Sequence, residues 1–309
     1  MDPIEHINPK KDSTLAMMLA AQRKGWAIFY LPPEGLLWDN DHVMAEMYPV
    51  TVQDDLDNWF SLGIAQNQPL AELDIILMRK DPPFDMEYIY QTYLLEKAEQ
   101  QGVLIVNKPQ SLRDANEKFF ATEFPDCIPP TLVGRNPDAF KAFLQTNKSI
   151  IVKPLDGMGG ASIFRIDKGD PNTNVILETL LGFGKTTAMA QRFLPEYIQG
   201  DKRILMIDGE AIPWALARIP AQGEGRANLA AGGSWKGVAL TQRDQYICQQ
   251  VGPELKKRGL IFVGLDIIGD YLTEVNVTSP TCIRELDKLY DLDIAGQLID
   301  CLDSKIHPH

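Results

Sequence analysis

At 309 residues the chain is long for one hydrophobic core, so two or three lobes with clefts between them are expected. The hydrophobic share of 45% and charged share of 23% are ordinary for a soluble globular enzyme. The formal charge of −12 works against a nucleic-acid partner but is compatible with a small anionic ligand held by a few arginines.

Cys127, Cys248, Cys282 and Cys301 form no C-x-x-C pair, which fits a reducing cytosol. In chain order, a helix begins after a cap at Asp12 or Ser13, carries Leu15, Met18, Leu19 and Gln22 at helical spacing, and stops at Gly25. Trp26 to Leu31 then reads as a strand, far too short to span a membrane and preceded by no charged-then-apolar leader. Leu73 to Met78 is a buried-type apolar run, Glu87 to Gln101 a helix closed by Gly102, and Val103 to Val106 a further short strand. Strands alternating with helices predict a doubly wound parallel sheet over residues 1–115.

From Ser149 the pattern changes. Ile150 to Val152 and Ile163 to Ile166 flank a glycine-rich segment and predict a hairpin, and Asp208-Gly209 between Asp201 to Ile207 and Glu210 to Arg218 predicts another. Gln222 to Gly237, with five glycines, reads as a mobile loop, and the last third as antiparallel sheet with covering helices.

Three groups of residues carry chemistry. Lys153 ends a strand just before Gly157, Gly159 and Gly160, where backbone N–H groups and an ammonium together suit phosphate oxygens. Asp266, Glu274 and Asn276 are acids and an amide inside an otherwise apolar hairpin, an oxygen-only donor set that suits Mg²⁺. Glu274 and Asn276, two apart, share a face, but Asp266 joins them only if the connection has an odd length or a bulge adds one residue. Arg203, Arg218 and Arg226 offer guanidinium forks to carboxylate or phosphate. Gly184-Lys185-Thr186 imitates the end of a phosphate-binding P-loop, but Thr179 stands where its first glycine belongs, after a helical stretch, so Gly182 reads as a helix terminus. The four histidines suggest neither a hydrolytic triad nor a zinc site.

Arg79-Lys80-Asp81-Pro82-Pro83-Phe84-Asp85, Asn107-Lys108-Pro109 through Lys118, Lys153 to Ser162, Asn228 to Gly233 and Phe262 to Arg284 together resemble bacterial glutathione synthetase over nearly the whole chain. The resemblance implies an α/β ATP-grasp fold in three parts: an N-terminal α/β lobe over 1–115, a lid over 116–195 and a catalytic antiparallel-sheet lobe over 196–309. It further implies ligation of γ-glutamylcysteine to glycine, with ATP consumed through an acyl phosphate and Mg²⁺, as two ions, at Asp266, Glu274 and Asn276.

By the same resemblance Lys118, Lys153 and the glycines 157, 159 and 160 contact the nucleotide, and Gln191, Phe193 and Leu194 hold its base. Arg203, Arg218 and Arg226 serve catalysis, while Arg79, Asn228, Gly232 and Ser279 meet the substrate. Residues 219–234 would close over the acyl phosphate, and the protein would be a cytoplasmic homotetramer without membrane or nucleic-acid partners. Two departures stand out: family members carry a short apolar strand ahead of Asp2-Pro3, and Ser234-Trp235-Lys236-Gly237 has no assigned role. The alternatives are another ATP-grasp ligase with a different acceptor, against which the Arg79 to Asp85 segment argues, or a nucleotide-binding protein without turnover.

Overall fold

The computed structural model describes residues 1–157, 161–221 and 234–307. Helix α1 (Ser13–Arg23) is capped by Asp12, whose carboxylate accepts from the Leu15 N–H, and the chain turns at Gly25 with φ +85°. The strand expected over 26–31 shrinks to β1 (Phe29–Tyr30), and it does not join a parallel sheet. It pairs antiparallel with β3 (His42–Val52), as do β2 (Leu36–Asp39), β4 (Phe60–Leu62) and β5 (Gln66–Pro69).

Strand β3 alternates Val43, Ala45 and Met47 into the core with less buried neighbours. It changes partners around Pro49, which has no N–H to give. This meander was not foreseen. Parallel pairing in the N-terminal α/β lobe is confined to β6 (Ile75–Leu77) and β7 (Leu104–Val106), joined through α2 (Met86–Gln100). An apolar groove of about 190 Å³, lined by Ile28, Tyr30, Ile75 and Leu77 among others, separates the 26–31 segment from β6. Helix α3 (Pro109–Asp114) completes the lobe.

The second part is a four-stranded sheet, β10-β9-β11-β8, made of β8 (Thr131–Gly134), β9 (Ser149–Pro154), β10 (Phe164–Asp167) and β11 (Ala188–Arg192). Helices α4 (Pro137–Asn147) and α5 (Thr173–Leu181) cover one face, packing Phe140, Leu144 and Leu177 on Ile150, Val152 and Ala190. The intervening residues Ile151, Lys153 and Gln191 face a cleft. Gly182, at φ +52°, ends α5, so Gly184-Lys185-Thr186 follows a helix rather than opening one and has no P-loop geometry.

The third part is an antiparallel sheet in the order β14-β13-β12-β15-β16, from β12 (Asp201–Ile207), β13 (Glu210–Ile219), β14 (Ser234–Ala239), β15 (Phe262–Ile268) and β16 (Tyr271–Asn276). Ile204 and Met206 pack under α6 (Gln242–Lys257), whereas Leu205 and Ile207 face α7 (Ile283–Tyr290), α8 (Ile294–Ile306) and α1. Ser234 to Gly237, expected to be loop, is edge strand: Leu216 pairs with Gly237, and the lack of a side chain there admits the Tyr290 ring, itself stacked on Trp214 at 3.9 Å. Residues 222–233 of the expected loop lie outside the described residues.

Asn107 ties the first part to the third. Its amide donates to the carbonyls of Phe262 (2.8 Å) and Val277 (2.7 Å) and accepts from Phe262 N–H (2.9 Å). Gly252, inside α6, lies against the Asp208-Gly209 turn, where a Cβ would sit 2.2 Å from the Gly209 carbonyl oxygen. Helix propensity alone predicts that Gly252→Ala stabilises by roughly 1 kcal/mol. With backbone on both sides of the contact, urea denaturation will instead show a loss of about 1–3 kcal/mol.

Candidate functional site

A cleft of about 350 Å³ lies against the inner face of the β8–β11 sheet and is floored by residues of β12, β13, β15 and β16. Its chemistry centres on one hairpin. Ile268 pairs with Tyr271 across a two-residue turn, yet Asp266 pairs with Glu274, because a bulge leaves Thr273 as the extra residue. The Thr273 hydroxyl donates to the Asp266 carbonyl at 3.0 Å. The bulge is one of the two solutions the spacing demanded; the three-residue turn, the other, is not used.

Strand pairing brings Arg203 beside Asp266, with Nε at 2.5 Å from Oδ1 and Nη2 at 2.9 Å from Oδ2. Arg218 Nη2 reaches the same Oδ2 at 2.9 Å and Asp201 Oδ2 at 2.6 Å. Burial alone would raise the Asp266 carboxyl, but the two guanidiniums outweigh it and hold it well below the usual carboxylate range. Asp201 is different. Burial, with the charges of Asp266 and Glu274, pushes it up to about 7 despite Arg218, and its Oδ1 has no hydrogen-bond partner among the described residues.

Glu274 receives lysines from two directions. Lys153, on β9, donates to Oε1 at 3.0 Å, and Lys118, between α3 and β8, lies 3.9 Å away. Burial opposes ionisation of Glu274, but Lys153 and Lys118 overcome it and lower its carboxyl. Lys118 also donates to Glu117 Oε1 and to the Gly157 carbonyl, both at 2.6 Å. Asn276 donates to Asp266 Oδ2 at 3.1 Å. Among the described residues there is no group of three or more His, Cys, Asp or Glu that could hold a metal by itself. Two carboxylates and one amide oxygen are the donor set of Mg²⁺, which completes its shell with phosphate and water.

At the other end the cleft is apolar, with Ile151, Ile163, Leu194 and Ile268 around Phe193. Arg165 stacks over the Phe193 ring at 3.9 Å, and Gln191 Nε2 donates to Thr131 Oγ1 at 3.3 Å. A planar aromatic base suits these walls.

Of the residues singled out by sequence, Lys118, Lys153, Gly157, Gln191, Phe193, Leu194, Arg203, Arg218, Asp266, Glu274, Asn276 and Ser279 all line this cleft. Arg79 does not. It is buried behind the wall, donating from Nε to Thr14 Oγ1 (3.1 Å) and from Nη2 to the Pro280 carbonyl (2.9 Å), so it braces the 277–282 segment. Gly159, Gly160, Arg226, Asn228 and Gly232 lie outside the described residues. Glu117, Asp201 and Asp81 also line the cleft and were given no role by sequence; each adjoins a motif, but only strand register and loop packing reveal where it faces.

Asp266→Asn leaves two buried guanidiniums facing a neutral amide, and breaking such a buried pair costs about 3–5 kcal/mol. Because folding depresses the Asp266 carboxyl, its contribution is present above the unfolded value of about 3.9 and is lost as pH falls through the folded one. Denaturation across a pH series will show the gap between wild type and variant undiminished from pH 7 to about 4 and closing only below.

The model of the prokaryotic glutathione synthetase N-terminal domain matches residues 1–113, and that of the prokaryotic glutathione synthetase ATP-grasp domain matches residues 117–291. A glutathione synthetase from Pseudomonas putida is 60% identical over 306 residues, covering 99% of this chain and 96% of that protein, and one from Shewanella oneidensis is 58% identical over 99% and 97%. Among solved structures, a RiPP-associated ATP-grasp ligase from Chryseobacterium gregarium, in complex with ADP and a leader and core peptide, superposes at TM-score 0.66 with 15% identity over 97% of this chain and 95% of that one. D-alanyl-alanine synthetase A from Vibrio cholerae gives TM-score 0.56 at 16% identity, over 92% and 84%. At such identities these two similarities speak to the fold alone.

Proposed function

The chain belongs to the prokaryotic glutathione synthetase family and is an ATP-dependent ligase that makes glutathione; from that premise we propose how its cleft divides the work. The observation that carries the reading is the meeting of Lys118 and Lys153, from two separate elements, at Glu274 beside the arginine-held Asp266. Four cations in that arrangement suit the triphosphate of ATP and an attacking carboxylate, two anions that otherwise repel.

In the first step a carboxylate oxygen of γ-glutamylcysteine attacks the γ-phosphorus and the bond to ADP breaks, leaving an acyl phosphate. The neutral amine of glycine then attacks the acyl carbon, the carbon–oxygen bond to phosphate breaks, and the departing phosphate carries away the proton that the amine loses. Lys118 and Lys153 hold the transferred phosphoryl group, and Arg203 and Arg218 steady the carboxylate and the developing oxyanion. The adenine lies between Ile151, Leu194 and Ile268, with Gln191 and Phe193 at its edge.

Asp266, Glu274 and Asn276 would hold Mg²⁺, as two ions, which supplies charge neutralisation between the phosphates when bound. Gly159, Gly160, Asn228, Gly232 and Ser279 remain assigned to nucleotide and substrate and Arg226 to catalysis, as the resemblance implies, and the lobes to 1–115, 116–195 and 196–309. The spans of the two matched family models support the first boundary.

Among the described residues no helix is long and apolar enough to cross a membrane. A cytoplasmic homotetramer remains the reading for location and assembly, and light scattering on the purified protein will give a mass near four chains. The function is tested by ADP release with Mg²⁺ while substrates are omitted in turn: sustained turnover will require both γ-glutamylcysteine and glycine. Equal turnover with D-alanine alone would move the chain to a different acceptor.

A further inference from the structure

Five carboxylates line the cleft among the described residues: Asp81, Glu117, Asp201, Asp266 and Glu274. Among the described residues four of them are paired with a lysine or arginine, and Asp81 has no such partner there. Its charge is nevertheless fixed in place. The carboxylate accepts from the Ser279 hydroxyl, the backbone N–H donates to Asp2 Oδ2 at 2.7 Å, and the backbone carbonyl accepts from Lys80 Nζ at 3.2 Å. Pro82 and Pro83 follow and stiffen the loop. The side chain is exposed to solvent; the Ser279 contact acts on the carboxylate itself, and the other two fix the backbone that carries it.

Resting on the function proposed above, we propose that Asp81 binds the α-ammonium group of the γ-glutamyl residue and so selects γ-glutamyl substrates. A positioned anion in a cleft whose other acids each have a lysine or arginine partner calls for a cation, and the dipeptide brings one that takes no part in the reaction. The glycine amine is a poor match. An acid bound to it would hold it as an ammonium without the lone pair needed for attack.

Reach agrees. Ser279, which holds Asp81, lies three residues beyond Asn276, at most about 10 Å along the chain. From the reacting carboxyl carbon to the α-nitrogen, extended γ-glutamylcysteine spans roughly 9 Å by standard bond lengths. A substrate with its carboxylate beside the Asp266 to Asn276 group is therefore long enough for its ammonium to reach Asp81. Asp2 and Lys80 act as positioning residues for this contact.

The test compares γ-glutamylcysteine with glutarylcysteine, which has hydrogen in place of the α-ammonium, in the wild-type enzyme and in Asp81→Asn. Loss of one charge-assisted hydrogen bond corresponds to roughly a 10–100-fold change. The wild type will prefer γ-glutamylcysteine by about that factor in kcat/KM. Asp81→Asn will lose most of the preference by a raised KM for γ-glutamylcysteine, with KM for ATP and glycine nearly unchanged, and Asp81→Glu will recover part of it. A variant that turns over but keeps the wild-type preference, or whose defect lies in KM for ATP, overturns the assignment. If the wild type turns over neither dipeptide, the functional reading fails instead, and the two failures are distinct.

Discussion

The carboxylate of Asp266, gripped by Arg203 from the neighbouring strand and by Arg218 from the strand beyond, is the constraint on which the cleft depends. A buried charge that lost its partners would cost several kcal/mol, so the three strands β12, β13 and β15 are held in the one register that satisfies it. The same register sets Glu274 opposite Asp266 and hence within reach of both lysines. Around it Glu117, Asp201, Asp266 and Glu274 face Lys118, Lys153, Arg203 and Arg218, four acids against four bases.

That balance explains how so much charge sits in a half-buried cleft. The acids hold the lysines and arginines in position; Lys118 is lowered by burial yet raised more by Glu274 and Glu117. Bringing in an anionic nucleotide exchanges one set of neutralising partners for another. Little reorganisation is then needed at the moment of reaction, which is how fixed dipoles and charges stabilise a transition state. Asp201, pushed to about 7 with one oxygen unpartnered among the described residues, is the group least well settled in this balance.

Strand periodicity converts a linear sequence into this arrangement. On β9, Ile150 and Val152 go to the helices, while Ile151 and Lys153 go to the cleft. On β12, Ile204 and Met206 meet α6, and Leu205 and Ile207 meet the opposite layer. Both faces of each sheet are therefore used, and catalytic side chains need only occupy strand ends or a bulge. Close backbone approaches lock the layers together, with Gly252 against Gly209 and Gly237 under Tyr290.

Much of this was legible in the chain itself. Capped and glycine-ended helices, the Asp208-Gly209 hairpin, the lysine before the glycine-rich segment and the acids of the last hairpin are local signals, set by propensity and spacing. Spacing even demanded an extra residue in the β15–β16 connection, because Asp266 and Glu274 otherwise fall on opposite faces. Whether a longer turn or a bulge provided it was decided by packing, which placed Thr273 under the Asp266 carbonyl. Partner choice was not readable either: the 26–31 segment, apolar enough for a parallel core, pairs with β3, Ser234 to Gly237 becomes an edge strand, and Arg79 turns away to brace Pro280. A residue's own sequence neighbourhood determines its conformation and its face, but which strand lies beside it, and which charge it must neutralise, depends on residues distant in the chain that only the folded structure brings near.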